Sequence, residues 1–326
     1  MKNLNKVSKI AIGSTISILL ASALGLEYSI SAGIITLLTI QDTKKETIYI
    51  SLKRTASFII AALLAFILFG GFGFTTINFG IFLFLFVGIC SIANLQDGIS
   101  MNSVLATHYI LSGRIDITMI ANEFSLLLIG AGIGTLINLI MPDNKKVIKQ
   151  IQKEIEEDLR KILFRMAYFL REEDKGRYTS QSFSSIQQHI NLGLKHAYTD
   201  MNNTLFQESQ YFIRYMEMRN QQLQILISIY EKIKSLTTVP DQATPLSAFI
   251  EQIANTLNES NNAKTLLQSE QHLEEGYKQN ALPTSRKEFE DRAILFMILK
   301  DFKVFLLIKE QFVDTLTKEQ IDKYWI

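Results

Sequence analysis

The chain reads as an all-α protein with six transmembrane segments in two inverted three-helix halves, followed by a cytoplasmic helical bundle. Three observations predict this. Up to Pro142 there are eight Lys/Arg and six Asp/Glu, against 25 and 26 in the remainder, so charge is sparse first and dense afterwards. The apolar runs of the first part come in the order long, short, long, and then long, short, long again. From Asn144 onward apolar residues recur with a helical period. The expected domains are 1–142 in the membrane and 143–326 outside it.

Span one is expected over about 7–26. Lys2, Lys6 and Lys9 precede it, and Ala21-Ser22-Ala23 imitates a cleavage site. The run is long for a signal peptide and further apolar segments follow, so it reads as an uncleaved span. Gly13, Ser17, Ala21 and Gly25 fall every fourth residue, a spacing that lets helices approach closely in lipid. Segment two, about 28–41, is the shortest. As a helix, Tyr28 to Ile40 reaches about 20 Å, while a hydrocarbon core is about 30 Å thick. Span three is expected over about 55–72, ended by Gly70, Gly71 and Gly73.

Span four covers about 77–92 and is closed by Asn94 and Asp97. Segment five, about 98–112, is again short and carries Asn102, Ser103, Thr107 and His108. Span six covers about 117–141, holds Asn122, Glu123 and Asn138, and stops at Pro142. The short segments occupy corresponding places in two halves of three. Three is odd, so the halves are inverted, and paired short segments point to a transport site near the midplane. Lys and Arg cluster at Lys2–Lys9, Lys44–Arg54 and Lys145–Lys149, with only Arg114 on the other side. That places both termini in the cytoplasm of a multi-pass plasma-membrane protein.

In the second part, Ile148, Ile151, Ile155, Leu159, Ile162 and Met166 mark one stripe. Phe183, Ile186, Ile190, Leu194, Ala197 and Met201 mark another. A heptad-like seam through Phe212, Met216, Leu223, Leu226, Tyr230 and Ile233, within 205–236, is interrupted by Arg219. Thr244 before Pro245 signals a helix start, and Ser285 with Glu288 a capping box. The run Ala293–Phe312 is very apolar but holds Lys300, Asp301, Lys303 and Lys309. Four ionisable groups are costly in lipid, so it reads as the central helix of a soluble bundle.

Composition excludes several classes. A net charge of +1 gives no basis for a nucleic-acid partner. Cys90 is the only cysteine, so no intrachain disulfide or cysteine zinc site is possible, and the four histidines are scattered. No Ser-His-Asp spacing or P-loop appears. The expectation is no enzyme, no metal and no cofactor. Gly130, Gly132 and Gly134 sit inside an apolar span with no preceding strand, so they read as helix packing and not as a dinucleotide loop.

The candidate pathway residues are Lys44, Lys53, Arg54, Asn102 and His108, and the coupling or gating candidates are Glu123, Asp42 and Asn122. Lys44 and Lys45 read first as topology signals. Lys53 and Arg54 are expected in the first turns of a helix starting near Thr47, and Arg suits bidentate carboxylate binding. Asp42 is expected to cap that helix, or else to pair with Lys45. Glu123 is an intramembrane carboxylate, functional or paired with Arg114. His108 is either a proton relay with Glu123 or a packing histidine, since histidine titrates near neutrality. Asn102, Asn122 and Asn138 read as helix-to-helix contacts before pathway residues.

The segments AGIITLLTIQDTKKETIYISLKR, NSVLATHYIL and NEFSLLLIGAGIGTLINLIMP resemble the aromatic acid exporter family, member-one type, within the fusaric-acid-resistance-like superfamily. The resemblance spans nearly the whole chain, most firmly up to Pro142. It implies a six-span membrane half with a helical C-terminal domain, a plasma-membrane protein that moves organic anions, and a homodimer. The expected partners are therefore the lipid bilayer, a small organic anion and a second copy. The expected function is export of small organic, aromatic included, carboxylic acids by a secondary or channel-like route. The alternative is a membrane-anchored sensor or scaffold whose helical domain binds a partner; an intramembrane enzyme ranks last.

Overall fold

The computed structural model describes residues 2–140, 144–172, 181–204 and 210–325. Among them are thirteen α-helices, one 3-10 turn and no strand. The chain divides into two compact units, Met1–Pro142 with Asn202–Gln207, and Asp143–Met201 with Glu208–Ile326.

The first unit holds α1 (Lys2–Ala23), α2 (Ile30–Thr39), α3 (Lys44–Phe72), α4 (Thr76–Ile92), the 3-10 turn Gln96–Gly98, α5 (Ile99–Ser112) and α6 (Ile117–Leu139). Three of these, α1, α3 and α6, are long and apolar enough to cross a membrane. At 17 residues α4 reaches about 25 Å and is shorter than a full crossing. Helix α2 has ten residues.

Small residues bring α1, α2 and α6 together. A Cβ at Gly130 would lie 2.6 Å from the Ala32 carbonyl oxygen, and one at Gly134 2.9 Å from Thr39 Cβ. One at Gly13 would meet Ile137 at 2.9 Å. Gly132 points to open space, so only the i, i+4 pair is an approach surface. Hydroxyls fasten the same seam: Ser17 Oγ and Thr36 Oγ1 lie 2.5 Å apart, and Thr36 donates to the Gly130 carbonyl at 3.0 Å. Gly25 does not belong to this face. Helix α1 ends at Ala23, and Gly25 turns the chain with φ +71°.

Helix α3 departs most from expectation. It starts at Lys44, three residues before the helix start expected near Thr47 and eleven before the expected span start at Thr55, because Thr43 caps it: the Thr43 hydroxyl accepts from Glu46 N at 3.3 Å. Asp42 is therefore not the cap; it pairs with Lys6 at 2.6 Å. Pro142, expected to stop span six, lies outside the described residues, and α6 ends at Leu139.

The second unit holds α7 (Lys145–Phe169), α8 (Gln181–Asn203), α9 (Tyr211–Ser235), α10 (Ala243–Thr256), α11 (Lys264–Gln279), α12 (Arg286–Asp314) and α13 (Lys318–Tyr324). The predicted stripes enter one core, with Leu194 and Met201 at its edge. Leu205, the expected start of the seam, lies outside the described residues. Helix α10 begins at Ala243, so Thr244 and Pro245 are already inside its first turn. Ser285 caps α12, but the Glu288 carboxylate returns to Thr284, so the reciprocal box is not closed. Lys300, Lys303 and Asp301 pair with Glu274, Glu270 and Lys232, and Lys309 donates to the Glu259 carbonyl at 2.7 Å. Arg219 is fully buried, where it donates to Glu156, Tyr215 and Gln222.

Candidate functional site

Two polar clusters stand at opposite ends of the short helices α2 and α5. The first forms where the last turn of α2 meets the start of α5. Arg54, on α3, is 7% exposed. Its Nε donates to the Asp97 carbonyl at 3.1 Å and its Nη1 to the Thr39 hydroxyl at 3.3 Å. Both acceptors are neutral, and among the described residues Arg54 makes no ion pair within 4 Å. Lys53 differs: its amine meets the Asp97 carboxylate at 3.0 Å and lies over the Tyr49 ring. Adjacent cations in the sequence thus separate into one paired directly with the Asp97 carboxylate near the surface and one buried, hydrogen-bonded to neutral oxygens, that shares the field of the same carboxylate. Asn102 completes this end. Its Nδ2 donates to the Arg54 carbonyl at 3.1 Å and to Ser57 Oγ at 2.7 Å, while its buried Oδ1 accepts nothing from the protein.

The second cluster forms where α2 begins and α5 ends. His108 Nδ1 and Glu123 Oε2 lie 2.7 Å apart, with His108 5% and Glu123 0% exposed. His108 Nε2 is 3.3 Å from Ser31 Oγ, and Tyr28 stacks on the imidazole with ring centroids 4.1 Å apart. Glu123 Oε1 accepts from Asn122 Nδ2 at 3.1 Å. Asn122 also accepts from Glu27 N at 2.9 Å and donates to Glu27 O at 3.1 Å. The Glu27 side chain takes Arg114. Arg114 is therefore not the partner of Glu123; Glu27, nearer on the surface, holds it, and His108 stands against the buried carboxylate.

Of the eight predicted residues, the structure brings Lys53, Arg54 and Asn102 to one end, and His108, Asn122 and Glu123 to the other. Lys44 opens α3, about 15 Å from Arg54 along the helix. Asp42 sits with Lys6, beyond the end of α2 opposite Glu123. The asparagines join elements: Asn138, for example, donates to Gln41 O at 3.0 Å and to Thr47 Oγ1 at 2.6 Å. Sequence reasoning missed Tyr28, Ser31 and Thr39, uncharged residues whose types are ordinary in an apolar helix. Only Tyr28 carries a further mark, a left-handed backbone with φ +56°.

Residues 1–141 match the family model described as "Aromatic acid exporter family member 1", and residues 145–310 the one described as "Putative aromatic acid exporter C-terminal domain". The chain belongs to the aromatic acid exporter family. An uncharacterized protein of Bacillus subtilis strain 168, YqjA, is 29% identical over 93% of this chain and 94% of its own length. A crystal structure from Clostridium difficile 630, described as a "putative membrane protein", is 30% identical, covers 52% of this chain and 99% of its own, and superposes with a TM-score of 0.47. Membership of an exporter family points to a transporter rather than an enzyme. With the apolar helices α1, α3 and α6 it points to a membrane protein.

Proposed function

We propose that the first unit crosses a bacterial plasma membrane with six segments and exports small organic carboxylates, aromatic ones included. The observation that carries this reading is Arg54, a buried cation held only by neutral oxygens. A buried charge is costly unless paired; Asp97 acts on Arg54 without bonding its guanidinium through the carboxylate, and an incoming carboxylate supplies a direct partner in the two-pronged geometry that guanidinium favours.

The path runs along α5. Asn102 Oδ1, Ser103 Oγ and Tyr109 OH are buried and find no partner in the protein. Buried polar atoms normally have one, so these three support a hydrated conduit from Arg54 towards His108, about 9 Å further along the helix. The membrane potential, negative inside, favours outward movement of anions by about 2.3 kcal/mol per charge per 100 mV. Uncoupled, channel-like export is thus energetically sufficient. The clusters Lys2–Lys9, Lys44–Arg54 and Lys145–Lys149 support cytoplasmic termini. Kinship within the family supports a homodimer.

A pure membrane anchor needs neither a buried arginine nor half-length helices. The test is efflux from proteoliposomes loaded in turn with labelled benzoate, 4-hydroxybenzoate and succinate, with protein-free vesicles as the leak control. Efflux above leak is expected for at least one acid, and Arg54→Gln is expected to lower it tenfold or more. Leak-level efflux for every acid, or wild-type rates in Arg54→Gln, removes the reading.

A further inference from the structure

We propose that His108 and Glu123 form a proton-operated valve at the outer end of the path, opened by acid on the outer side. This rests on the export reading and adds its regulation.

The geometry is a closed, directly bonded pair. One proton shared between His108 Nδ1 and Glu123 Oε2, 2.7 Å apart, leaves the two groups with no net charge. An anion arriving from Arg54 then meets a carboxylate already turned onto the imidazole. A second proton changes the sign. It lands on a carboxylate oxygen of Glu123, giving an uncharged carboxyl beside an imidazolium, and the pair now carries +1. A positive outer end draws the anion through, and loss of that proton back to the outer solution restores the pair. No bond other than O–H forms or breaks, and the proton is not consumed.

The surroundings fit a lid over such a pair. The turn before α2 places Tyr28 flat on the His108 ring, 11° from parallel. Tyr28 does so with φ +56°, a left-handed conformation that bulky residues rarely adopt. Asn122 clips this turn to α6 through both backbone groups of Glu27, and its amide also touches Glu123. The carboxylate that must accept the proton and the turn that covers the imidazole therefore share one side chain.

The titratable groups facing the pair are few. Helix α5 presents Tyr109, whose buried hydroxyl has no partner in the protein. The turn before α2 presents Glu27 and Tyr28, and the α5–α6 connection presents Arg114, which is held by Glu27. Ser31 on α2 lies 3.3 Å from His108 Nε2, and Ala32 on α2, Ala21 on α1 and Ala62 on α3 belong to the apolar cluster that packs with Tyr28. The chemistry gives such a valve a use: weak carboxylic acids enter a cell as uncharged acids when the medium is acidic, and must leave as anions.

The experiment uses full-length protein in proteoliposomes, loaded with the fastest-moving acid of the panel above. Inner pH and membrane potential are clamped while outer pH is stepped from 7.5 to 5.5. Wild-type efflux is expected to rise by about tenfold, one decade in rate. In Glu123→Gln the charge rests on His108 alone, so efflux is expected to stay low at pH 7.5 and to rise at pH 5.5. His108→Gln is expected to run at the low rate at both. Melting temperatures of the solubilised variants establish folding. Wild-type efflux that ignores outer pH overturns the valve while leaving export intact, and so does equal loss of efflux in both folded variants. No wild-type efflux at any outer pH overturns the export reading beneath it.

Discussion

Thr39 and Arg54 meet across 3.3 Å, the hydroxyl that ends α2 accepting from the guanidinium in the third turn of α3. This contact ties the short helix to the long one at the place where α5 also begins, because the same guanidinium reaches the Asp97 carbonyl. One side chain therefore sets the spacing of three elements. A lysine carries the charge but cannot reach both acceptors with a rigid fork. Arg54→Lys is expected to keep the fold and lose about tenfold or more in efflux, measured beside Arg54→Gln in the same vesicles.

The approach of α2 to α6 makes a paired test of packing. Gly130→Ala forces a methyl to 2.6 Å from the Ala32 carbonyl oxygen, and overpacking of this kind costs about 1–3 kcal/mol. Gly132→Ala meets open space two residues away and gains up to about 1 kcal/mol of helix propensity. Thermal unfolding of the two purified variants in detergent is expected to move in opposite directions. A fall of equal size in both removes the close-approach account.

In the second unit, burial first and the neighbouring Arg219 second push the Lys309 amine down to about 7 from its ordinary 10.5. Below pH 7 folded and unfolded chains both hold the proton, and the folded chain bears the full cost of a buried cation. Between about 7 and 10.5 the unfolded chain binds more protons, so stability rises with pH over that window. Tyr211 and Tyr277, both raised by burial, reverse the trend once unfolded tyrosines ionise near pH 10. Melting temperatures of the full chain from pH 6 to 9.5 are expected to climb, and Lys309→Met is expected to flatten most of that slope.

Asp291 has a different task. Its carboxylate accepts from the amides and hydroxyls of both Thr237 and Thr238, at 2.5 to 2.9 Å, and so fixes the segment between α9 and α10. Asp291→Ala strands buried donors and is expected to cost about 2–4 kcal/mol, read as a lower denaturant midpoint. Asp291→Asn keeps one acceptor oxygen and is expected to fall between.

The helical segments were legible where charge or glycine brackets an apolar run. Glu27 and Asp42 bracket α2, Asp97 and Gly113 bracket α5, and Asp116 caps α6. The expected start of α3 near Thr47 falls one turn short, although Thr43-Lys44-Lys45-Glu46 carries the spacing of a helix cap. The candidate residues were legible as types, because ionisable and amide side chains in apolar helices are few. Their partners were not: His108 lies on α5 and Glu123 on α6, and only the packing of both against the turn at Tyr28 sets their distance. Hydroxyl and aromatic residues such as Ser31, Thr39 and Tyr28 stayed invisible for the same reason, since nothing in their local pattern distinguishes them from helix filler.

Helix α3 has 29 residues and so measures about 43 Å, roughly 13 Å more than the greasy slab it is proposed to traverse. The proposed orientation assigns that surplus to Lys44–Leu52 and sets Arg54 just below the waterline on the inner face. A thicker leaflet draws that arginine deeper and a thinner one strands it among headgroups, so acyl-chain length becomes a dial on anion capture. Vesicles built from lipids of graded tail length are expected to show an optimum in efflux.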